Sequence, residues 1–448
     1  MGLAELRLQH GPDVEKSSWS KRFSRVWPLI WPAGVTLPAQ IVALWLYAQA
    51  HHFQRVTDFV FVGRFFSQHL GIAQLATSEY GYDGQFYYYM ARFPFHAPPG
   101  SFDLAPERYS RMLYPTLARV VSLGHVSLMP WAMLGINLAA IIGMVLLLSW
   151  LLRERGLPAW PALVAGFYCG LSLGTLRDLA DPQVGFWLAL ALVFMQRRRW
   201  LLTAGAVAFG LLTRETMLPF ALCFAVPLLL EHRSEARQFK SAATSAAPAK
   251  SGTLAAARDR RWLMLAGYFL IAFGPYAAWQ VYLHQWLGVW PLQASLADPS
   301  NKLTHRPFIG LAAAPDLHTL MQFIVFACIP AVAGIIGGLL TLWERPSGKG
   351  RVRELGSRTL VPSGHSRVPP WRDAPRLAAA LGALVYGVAF ALQPSAHWLD
   401  IWAPMRLAVP FAVLLPLLLP MAPGWRRSAW LAVLSLMIFS FTLALAPT

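Results

Sequence analysis

The chain has 448 residues, of which 56% are hydrophobic and 13% are charged, and its mean hydropathy is +0.45. In a soluble globular protein about a quarter of the residues are charged, so this composition excludes that class. It indicates an integral membrane protein that crosses the bilayer several times. The net charge of +17 would suggest a nucleic-acid partner in a soluble protein, so its distribution along the chain has to be considered.

Eleven apolar runs are predicted to cross the membrane, because roughly 20 apolar residues in a helix span the hydrocarbon core. They form a single all-α membrane helix bundle over residues 28–448, which follows a basic N-terminal tail at 1–27. The runs lie at 28–50, 129–152, 159–176, 183–196, 200–213, 217–230, 262–284, 319–343, 377–393, 405–421 and 428–446. Two of them are short, so tilted or re-entrant helices and a total of roughly 10 to 13 spans remain alternatives.

The loops between these runs form two alternating sets that differ in charge. The set that contains the N-terminus holds 27 of the 38 Lys and Arg residues and 10 of the 21 Asp and Glu residues. The opposite set is neutral, so the whole positive excess lies on one side, as the positive-inside rule requires of cytoplasmic loops. This places the N-terminus in the cytoplasm. It places the C-terminus and the first outer loop, residues 51–128, outside, and it argues against a nucleic-acid partner.

Three further segments are assigned from composition. Residues 231–261 are rich in Ala, Ser and Lys, and residues 344–376 are rich in Arg, Gly and Pro. Both are predicted to be disordered cytoplasmic loops, since neither can form a core. In the first outer loop, residues 112–127 are amphipathic and are predicted to form an interfacial helix, with a further span as the alternative.

The most informative stretch is YGYDGQFYYYMARFPF at 80–95. In it, Asp83 lies between Gly81 and Gly84 and precedes four consecutive aromatic residues. A carboxylate beside a membrane is costly unless it has a partner or a function, and aromatic side chains suit a sugar ring or an interfacial ligand. Asp83 is therefore either the cap of the helix that follows or a functional carboxylate, and one residue can fill both roles.

All five predicted outer loops place arginine near carboxylates beside apolar runs. As a set they predict one cavity at the outer interface that binds a phosphate and a hydroxyl-bearing partner. For any single pair, a local ion pair at a helix end is the alternative. The charged and histidine residues of these loops are Asp58, Arg64, Glu79, Asp83, Arg92, Asp103, Glu107, Arg108, Arg111, Arg177, Asp178, Asp181, Arg214, Glu215, Asp298, Lys302, His305, Arg306, His397, Asp400 and Arg406.

On these residues the chain resembles the GT-C superfamily of polytopic glycosyltransferases, especially bacterial members that act in cell-surface glycopolymer formation. The resembling segments are GYDGQFYYYMARFP at 81–94, RMLYPTLARVVSLG at 111–124, RDLADPQ at 177–183, GLLTRETMLP at 210–219 and APMRLAVP at 403–410. The resemblance implies a multi-pass protein of the bacterial inner membrane. Such a protein transfers a sugar from a polyprenyl-phosphate donor to a glycan, lipid or protein acceptor on the periplasmic face, and no nucleic acid takes part.

The resemblance also implies the site. The key carboxylate of that superfamily lies in the first outer loop and corresponds to Asp83, which would act as general base on the acceptor hydroxyl. Many members have an acidic pair there, whereas this chain has Asp83-Gly84-Gln85, so no metal or other cofactor is assigned. Guanidinium groups suit the departing phosphate because they bind its oxygens in pairs. The predicted substrate-binding residues are Tyr82, Gln85, Tyr87, Tyr88, Arg92, Arg177, Asp178, Arg214, Glu215 and Arg406.

Two other functions are alternatives. A transporter or flippase of a lipid-linked glycan would carry charged residues at the mid-depth of its spans, where this chain has little apart from Asn137. A non-catalytic partner in envelope polysaccharide assembly would not need Asp83 and the arginines in one cavity. The position of Asp83 relative to Arg214 and Arg406 therefore discriminates between these functions.

Overall fold

The computed structural model describes residues 13–230, 251–298, 303–343, 373–400 and 402–418. Within these ranges the chain is helical and contains no β-strand, although Gly63 and Ser78 form an isolated bridge. The all-α prediction is therefore confirmed for this part of the chain. Lys302 and the predicted span at 428–446 lie outside the described residues.

The helices are numbered in chain order. They are α1 Asp13–Ala50, α2 Gly84–Arg92, α3 Ala105–Ser110, α4 Leu113–Val121, α5 Met129–Glu154, α6 Ala162–Gly166, α7 Cys169–Leu176, α8 Asp181–Gln196, α9 Trp200–Thr213, α10 Glu215–Leu230, α11 Ser251–Leu287, α12 Pro291–Ala297, α13 Leu317–Trp343, α14 Ala374–Ala391, α15 Ala396–Leu399 and α16 Ala403–Leu418. Short single turns lie at Val56–Val60, Arg64–Ser67, Gln68–Leu70, Ala73–Leu75 and Ile309–Ala313.

Five of these helices are long and apolar enough to cross a membrane. The candidate spans are Val26–Ala50 within α1, Trp262–Leu287 within α11, and the whole of α5, α13 and α14. Four shorter apolar stretches lie at Ala162–Leu176, Trp200–Thr213, Glu215–Leu230 and Ala403–Leu418. The chain is thus a helical membrane protein, and the total of eleven spans stays a prediction.

The predicted run at 159–176 is broken into α6 and α7 at Tyr168. Tyr168 between them has extended backbone (φ −70°, ψ 124°). Its hydroxyl lies 2.7 Å from the carbonyl oxygens of both Phe326 and Met405. A buried phenol needs such a partner, so the break joins this part of the chain to α13 and α16.

Helical structure begins earlier than predicted after both predicted cytoplasmic loops. Because α11 begins at Ser251, the prediction of disorder for 231–261 is wrong over its last part, where the good helix formers Ala and Arg predominate. Similarly, α14 begins at Ala374 within 344–376. The other parts of these loops, 231–250 and 344–372, lie outside the described residues, as do residues 1–12 of the N-terminal tail.

The predicted interfacial helix at 112–127 corresponds to α4, which is shorter. It ends before Leu123 and Gly124, which both adopt positive φ angles (52° and 78°). On α4, Tyr114 is buried whereas Val121 is 58% exposed. The helix is therefore amphipathic, as its sequence predicts.

The helices pack into a bundle that holds segment 51–128 against its end. In the bundle α8 packs against α5 and α9, α9 packs against α11, and α13 packs against α14 and α16. Segment 51–128 has its own core, in which Tyr87, Tyr88 and Tyr89 on α2 are at most 2% exposed and cluster with Tyr114. This aromatic core fixes α2, and with it Asp83 at the start of the helix.

The two glycines beside Asp83 permit close backbone contacts. A Cβ atom on Gly84 would lie 2.1 Å from the carbonyl oxygen of Arg177. Gly81 has a φ of +73°, and a Cβ atom there would lie 2.5 Å from the backbone nitrogen of Gly63. Only glycine fits both positions without a backbone shift, so the turn that carries Asp83 is pressed tightly against its neighbours.

Candidate functional site

Asp83 lies on the wall of a cavity of about 770 Å³. The cavity forms where segment 51–128 meets the chain that follows α9, α12 and α14. Its charged and histidine lining residues are Asp83, Asp103, Glu107, Arg108, Arg111, Arg214, Glu215, Asp298, His397, Asp400 and Arg406. The fold thus gathers charges from four of the five predicted outer loops. Asp181 belongs to the remaining loop, near residues 177–182, and accepts hydrogen bonds from the lining residues Arg214 and Arg406.

The carboxylate of Asp83 is held by two arginines. Its Oδ1 lies 3.1 Å from Nη2 of Arg108, and its Oδ2 lies 3.2 Å from Nη1 of Arg406. The Asp83 side chain is 28% exposed, whereas those of Arg108 and Arg406 are 13% and 4% exposed. Asp83 therefore joins a buried arginine from α16 to an arginine from α3 at the edge of the cavity.

These contacts set the charge of Asp83. Burial by itself would raise the pKa of Asp83, because it disfavours the charged carboxylate. The positive charges of Arg108 and Arg406, followed by Arg111 and Arg214, act in the opposite direction and prevail, so its pKa lies well below the usual value. Asp83 is thus an anion at neutral pH, and a carboxylate of such low pKa is a weak proton acceptor.

Arg406 is the centre of a buried ion-pair network. Its Nε donates to Oδ2 of Asp181 at 2.9 Å, and its Nη1 donates to the hydroxyl of Tyr82 at 3.1 Å as well as to Asp83. Nη1 of Arg214 donates to the other oxygen of Asp181. Nη2 of Arg406 and Nε of Arg214 have no hydrogen-bond partner within the described ranges. Two buried cationic donors are thus left for an anionic ligand.

A second group of ion pairs lies on the more open side of the cavity. Arg111 donates from Nε and Nη2 to Glu215 at 2.9 and 2.5 Å, and from Nη2 to Glu107 at 2.8 Å. Arg108 donates from Nε and Nη2 to Asp103 at 2.9 and 2.5 Å. The side chains of Asp103 and Glu215 are each 40% exposed. Asp103 and Glu215 are therefore partly accessible to water, whereas the Glu107 side chain is 15% exposed.

Tyr82 connects the turn at Asp83 to the chain before α16. Its hydroxyl donates to Oδ2 of Asp400 at 2.6 Å and accepts from Arg406. Its ring also lies under the guanidinium groups of Arg177 and Arg406, at 5.0 and 5.6 Å. Tyr82 therefore positions two lining residues from behind the cavity wall.

Apolar side chains line the same cavity as these charges. Leu292 and Leu303 are 69% and 58% exposed, which is a high exposure for leucine beside charged groups. The apolar lining residues include Leu104, Leu218, Trp290, Leu292, Leu303 and Leu407. One cavity therefore offers both charged and apolar lining side chains, as an amphiphilic ligand requires.

The predicted site residues fall into two groups. Asp83, Arg214, Glu215 and Arg406 line the cavity, and Tyr82 touches it through Arg406 and Asp400. The remaining six do not belong to the described lining. They are Gln85, Tyr87, Tyr88, Arg92, Arg177 and Asp178.

Three of the six have structural contacts instead. Oε1 of Gln85 accepts from the backbone of Gly63 and from the hydroxyl of Tyr89 at 2.9 and 3.0 Å, and its Nε2 donates to the carbonyl of Tyr80 at 2.9 Å. Nη1 of Arg92 donates to the hydroxyl of Tyr88 at 3.0 Å. The polar groups of Gln85, Tyr88 and Arg92 thus contact segment 51–128 itself, and the substrate contacts predicted for these three residues stay predictions.

The other three residues lie deeper. Arg177 does not pair with Asp178, because its guanidinium stacks on the ring of Phe61 at 3.7 Å. Asp178 is fully buried, with Oδ1 3.5 Å from the hydroxyl of Tyr114, and burial raises its pKa well above the usual value. The ring of Tyr87 packs on Tyr114 at 5.4 Å. These side chains form a polar layer behind α2 and not a cavity wall.

Two arginines that line the cavity, Arg108 and Arg111, are not among the substrate-binding residues predicted from the sequence. The sequence places them only among the outer-loop charges, whereas Arg92 is among the predicted substrate-binding residues. A signal was present in APERYSR at 105–111, because Glu107 and Arg111 are four residues apart and face the same side of a helix. The described structure places this pair at 2.8 Å, with Arg111 only 7% exposed.

The acidic residues of the cavity do not fit a metal ion. Among the described residues, no group of three or more His, Cys, Asp or Glu side chains is arranged to hold one. Both oxygens of Asp83 already contact arginines, which compete with a cation.

Comparisons of the chain with protein-family models, with curated proteins and with solved structures find no match.

Proposed function

We propose that the protein is a membrane glycosyltransferase that moves a sugar from a polyprenyl-phosphate donor to a hydroxyl of a glycan, lipid or protein acceptor. The observation that carries this proposal is the single cavity that holds Asp83 together with Arg108, Arg111, Arg214 and Arg406. A carboxylate suits the hydroxyls of a sugar or acceptor. Guanidinium groups suit the oxygens of a phosphate leaving group.

The donor phosphate would bind among the arginines. Nη2 of Arg406 and Nε of Arg214 supply buried donors that have no protein partner in the described structure. Arg108 and Arg111 supply more once Asp103 and Glu215, which are 40% exposed, turn into water. Exchange of a carboxylate for a phosphate keeps each arginine paired, so the buried positive charge stays compensated.

The lipid part of the donor would contact the apolar lining residues. Leu292 and Leu303 are exposed, and Trp290 and Leu218 line the same cavity. Burial of apolar lipid there is favourable by about 25 cal/mol for each Å² removed from water. The arrangement therefore favours a lipid-linked donor over a soluble nucleotide sugar.

In the proposed reaction, the oxygen of the acceptor hydroxyl attacks the anomeric carbon of the donor sugar. The bond from that carbon to the phosphate oxygen breaks, and its electron pair stays on the phosphate, where Arg108 and Arg406 stabilise the added charge. Asp83 accepts a hydrogen bond from the acceptor hydroxyl and orients it. The general-base role predicted for Asp83 would require the phosphate to draw both arginines away, since only then does its pKa return toward the usual value.

We place this cavity on the periplasmic face of a bacterial inner membrane, in a GT-C-like bundle of about eleven spans. The concentration of 27 Lys and Arg residues in one set of loops supports this orientation. It puts the N-terminus in the cytoplasm and the C-terminus outside. The donor would then be used on the side where envelope acceptors lie.

The proposal is tested by a transfer assay. Membranes that contain the full-length protein are incubated with radiolabelled polyprenyl-phosphate and polyprenyl-diphosphate sugars and with envelope extract, and label in the extract is counted. We expect transfer by the wild type and a loss of at least about 100-fold in Asp83→Asn. Glu79→Gln is the matched control, because Glu79 is exposed and lies outside the cavity lining. Failure of every donor, or full activity in Asp83→Asn, contradicts the proposal.

A flippase of a lipid-linked glycan is the second candidate. It is favoured by the buried polar layer in which Asn137 donates to Tyr114 at 2.8 Å and Gln183 donates to Asn137 at 3.4 Å. Polar groups buried between membrane-spanning helices are expected of a transport pathway. Movement of an intact labelled glycolipid across a vesicle membrane, with no transfer of its sugar, would favour this candidate.

A further inference from the structure

Gln280 lines the same cavity, and its amide nitrogen has no hydrogen-bond partner among the described residues. The residue belongs to α11 and lies within the candidate span Trp262–Leu287. The other amide side chain of the described lining, that of Gln393, is bonded at both ends. Its oxygen lies 2.5 Å from Nδ1 of His397, and its nitrogen donates to the carbonyl oxygen of Ala389 at 3.3 Å. Of these two amides, Gln280 is therefore the one with a donor left for a ligand.

An amide without a partner is unfavourable at this position. Nε2 of Gln280 is buried, and an amide donor taken out of water costs free energy unless it is hydrogen-bonded. In a membrane span the cost is greater, because little water is at hand to replace the missing partner. A methionine or leucine of similar size would avoid this cost, so the stability of the unliganded protein does not account for the amide. Polar side chains of spans that face a cavity are typical of ligand sites.

The packing of α11 against α3 holds Gln280 at the cavity. Nε1 of the adjacent Trp279 donates to the carbonyl oxygen of Tyr109 on α3 at 2.7 Å. The ring of Tyr109 also meets the ring of Trp286 edge-on, at 4.8 Å. Successive side chains leave a helix about 100° apart, so contacts of Trp279 and Trp286 with α3 fix the rotation of α11. Gln280 is thereby kept on the side that lines the cavity.

The chemistry of the amide suits a hydroxyl better than a phosphate. Phosphate oxygens only accept hydrogen bonds, and Arg108, Arg111, Arg214 and Arg406 already supply charged donors to this cavity. A sugar hydroxyl both donates and accepts. A half-turn of the last side-chain bond exchanges the nitrogen and oxygen of an amide, so Gln280 can meet either need. Tyr276, four residues earlier and on the same helix face, also lines the cavity. On this side α11 therefore presents neutral polar groups.

We infer that the amide of Gln280 binds a hydroxyl of a sugar held in the cavity and so contributes to the choice of that sugar. This inference rests on the proposed glycosyl transfer and deepens it, because it names a residue that reads the sugar itself. Gln280 neither takes nor gives a proton in the reaction. The sugar belongs either to the lipid-linked donor or to the acceptor, and the two arms of the experiment below distinguish these sources.

Deoxy sugars test the contact of Gln280. In membranes, kcat/KM is measured for the wild type and Gln280→Met with the polyprenyl-phosphate sugar that the wild type uses and with its monodeoxy analogues. A second arm uses the isolated acceptor and its monodeoxy analogues. With the parent sugars we expect Gln280→Met to lower kcat/KM about tenfold, the size of one lost hydrogen bond. One monodeoxy analogue should cost the wild type about tenfold and Gln280→Met less than twofold. The arm that contains this analogue identifies the source of the hydroxyl.

Gln285→Met is the matched control, because Gln285 is exposed on the same helix and lies outside the cavity lining. It should change kcat/KM less than twofold. The thermal unfolding midpoint of unliganded Gln280→Met should equal or exceed that of the wild type, since the substitution removes a buried donor without a partner. Equal deoxy penalties in the wild type and Gln280→Met, at every position of both sugars, would overturn the inference. Gln280→Leu repeats the series if Gln280→Met does not fold.

Binding in nanodiscs separates the inference from the proposed function, because it requires no transfer. Affinity is measured without acceptor for the polyprenyl-phosphate sugar and for bare polyprenyl phosphate. If the hydroxyl is the donor's, Gln280→Met should bind the sugar-bearing lipid about tenfold more weakly than the wild type and the bare lipid equally well. This result in a protein that transfers no sugar would contradict the transfer and keep Gln280 as a sugar-binding residue. Transfer by the wild type with no deoxy analogue that depends on Gln280 would overturn the inference alone.

Discussion

Oδ2 of Asp83 lies 3.2 Å from Nη1 of Arg406, although 323 positions separate the two residues in the chain. Arg406 reaches Asp83 from α16 while its Nε bonds to Asp181 at the start of α8. One guanidinium group therefore ties segment 51–128 to two helices of the bundle. The geometry of the cavity depends on the guanidinium group of Arg406. Substitutions of Arg406 and its partner Asp181 therefore test how the cavity is held together.

The pairing of Arg406 with Asp181 predicts a coupled effect on stability. Both side chains are 4% exposed, so removing one partner leaves a buried charge with fewer contacts. Arg406→Met should lower the free energy of unfolding by about 3 kcal/mol. The double variant with Asp181→Asn should recover about 1 kcal/mol of that loss. The free energy of unfolding is measured in mixed micelles for the wild type, the two single variants and the double variant. A loss in the double variant that equals the sum of the two single losses would contradict the pairing.

The close contact at Gly84 predicts that alanine there is not tolerated. The added Cβ would lie 2.1 Å from the carbonyl oxygen of Arg177, so the turn must move and Asp83 must move with it. Gly84→Ala should therefore lose most transfer activity. Gly135→Ala is the matched control, because a Cβ at Gly135 meets no atom within 4 Å. Wild-type activity in Gly84→Ala, or an equal loss in both variants, would show that the turn is not constrained.

The meeting of Asp83, Arg214 and Arg406 was predictable from the sequence. Each of the three residues lies next to an apolar run, in a loop that is predicted to be on the outer side of the membrane. Loops on one side of the membrane come together at one end of a helix bundle. Which residues of segment 51–128 face the cavity was not predictable. Arg92 and Arg108 both lie near the ends of short helices, and only the packing of α2 and α3 turns Arg108 toward Asp83 and Arg92 toward Tyr88.

The aromatic run after Asp83 shows a related limit of the sequence. Tyr87 and Tyr88 were predicted to contact substrate because aromatic rings suit sugars. In a helix of nine residues, however, consecutive aromatic side chains point in all directions. Here the neighbouring turns bury every one of them. The sequence does not reveal those turns, since they are short, irregular and set by glycine contacts such as that of Gly81.

The ion pairs of Arg111 predict a specific effect on donor binding. Arg111→Gln removes a charged group that would bind the phosphate, so affinity for a polyprenyl phosphate should fall at least about tenfold, which corresponds to about 1.4 kcal/mol. Arg64→Gln removes the same charge from an exposed position outside the cavity lining and should change affinity by less than twofold. Binding is measured in nanodiscs at fixed salt. Equal losses in the two variants would indicate a general effect of charge.

The burial of Asp178 predicts a pH-dependent effect on stability. Burial raises the pKa of this carboxyl in the folded protein, so its contribution to stability is complete at low pH and is lost as pH rises through the folded-state pKa. Asp178→Asn should therefore be more stable than the wild type at pH 8, and the difference should shrink toward pH 4. Thermal unfolding across this pH range measures the effect. A difference that grows as the pH falls would contradict the assignment.

The proposed donor site is tested most directly by an experimental structure of the full-length protein in nanodiscs with a polyprenyl phosphate bound. We expect phosphate oxygens within hydrogen-bond distance of Arg406 and Arg214, the lipid along Leu292 and Leu303, and Asp83 facing the space beside the phosphate. A phosphate bound at another place on the protein, with the arginines still paired only to carboxylates, would contradict it.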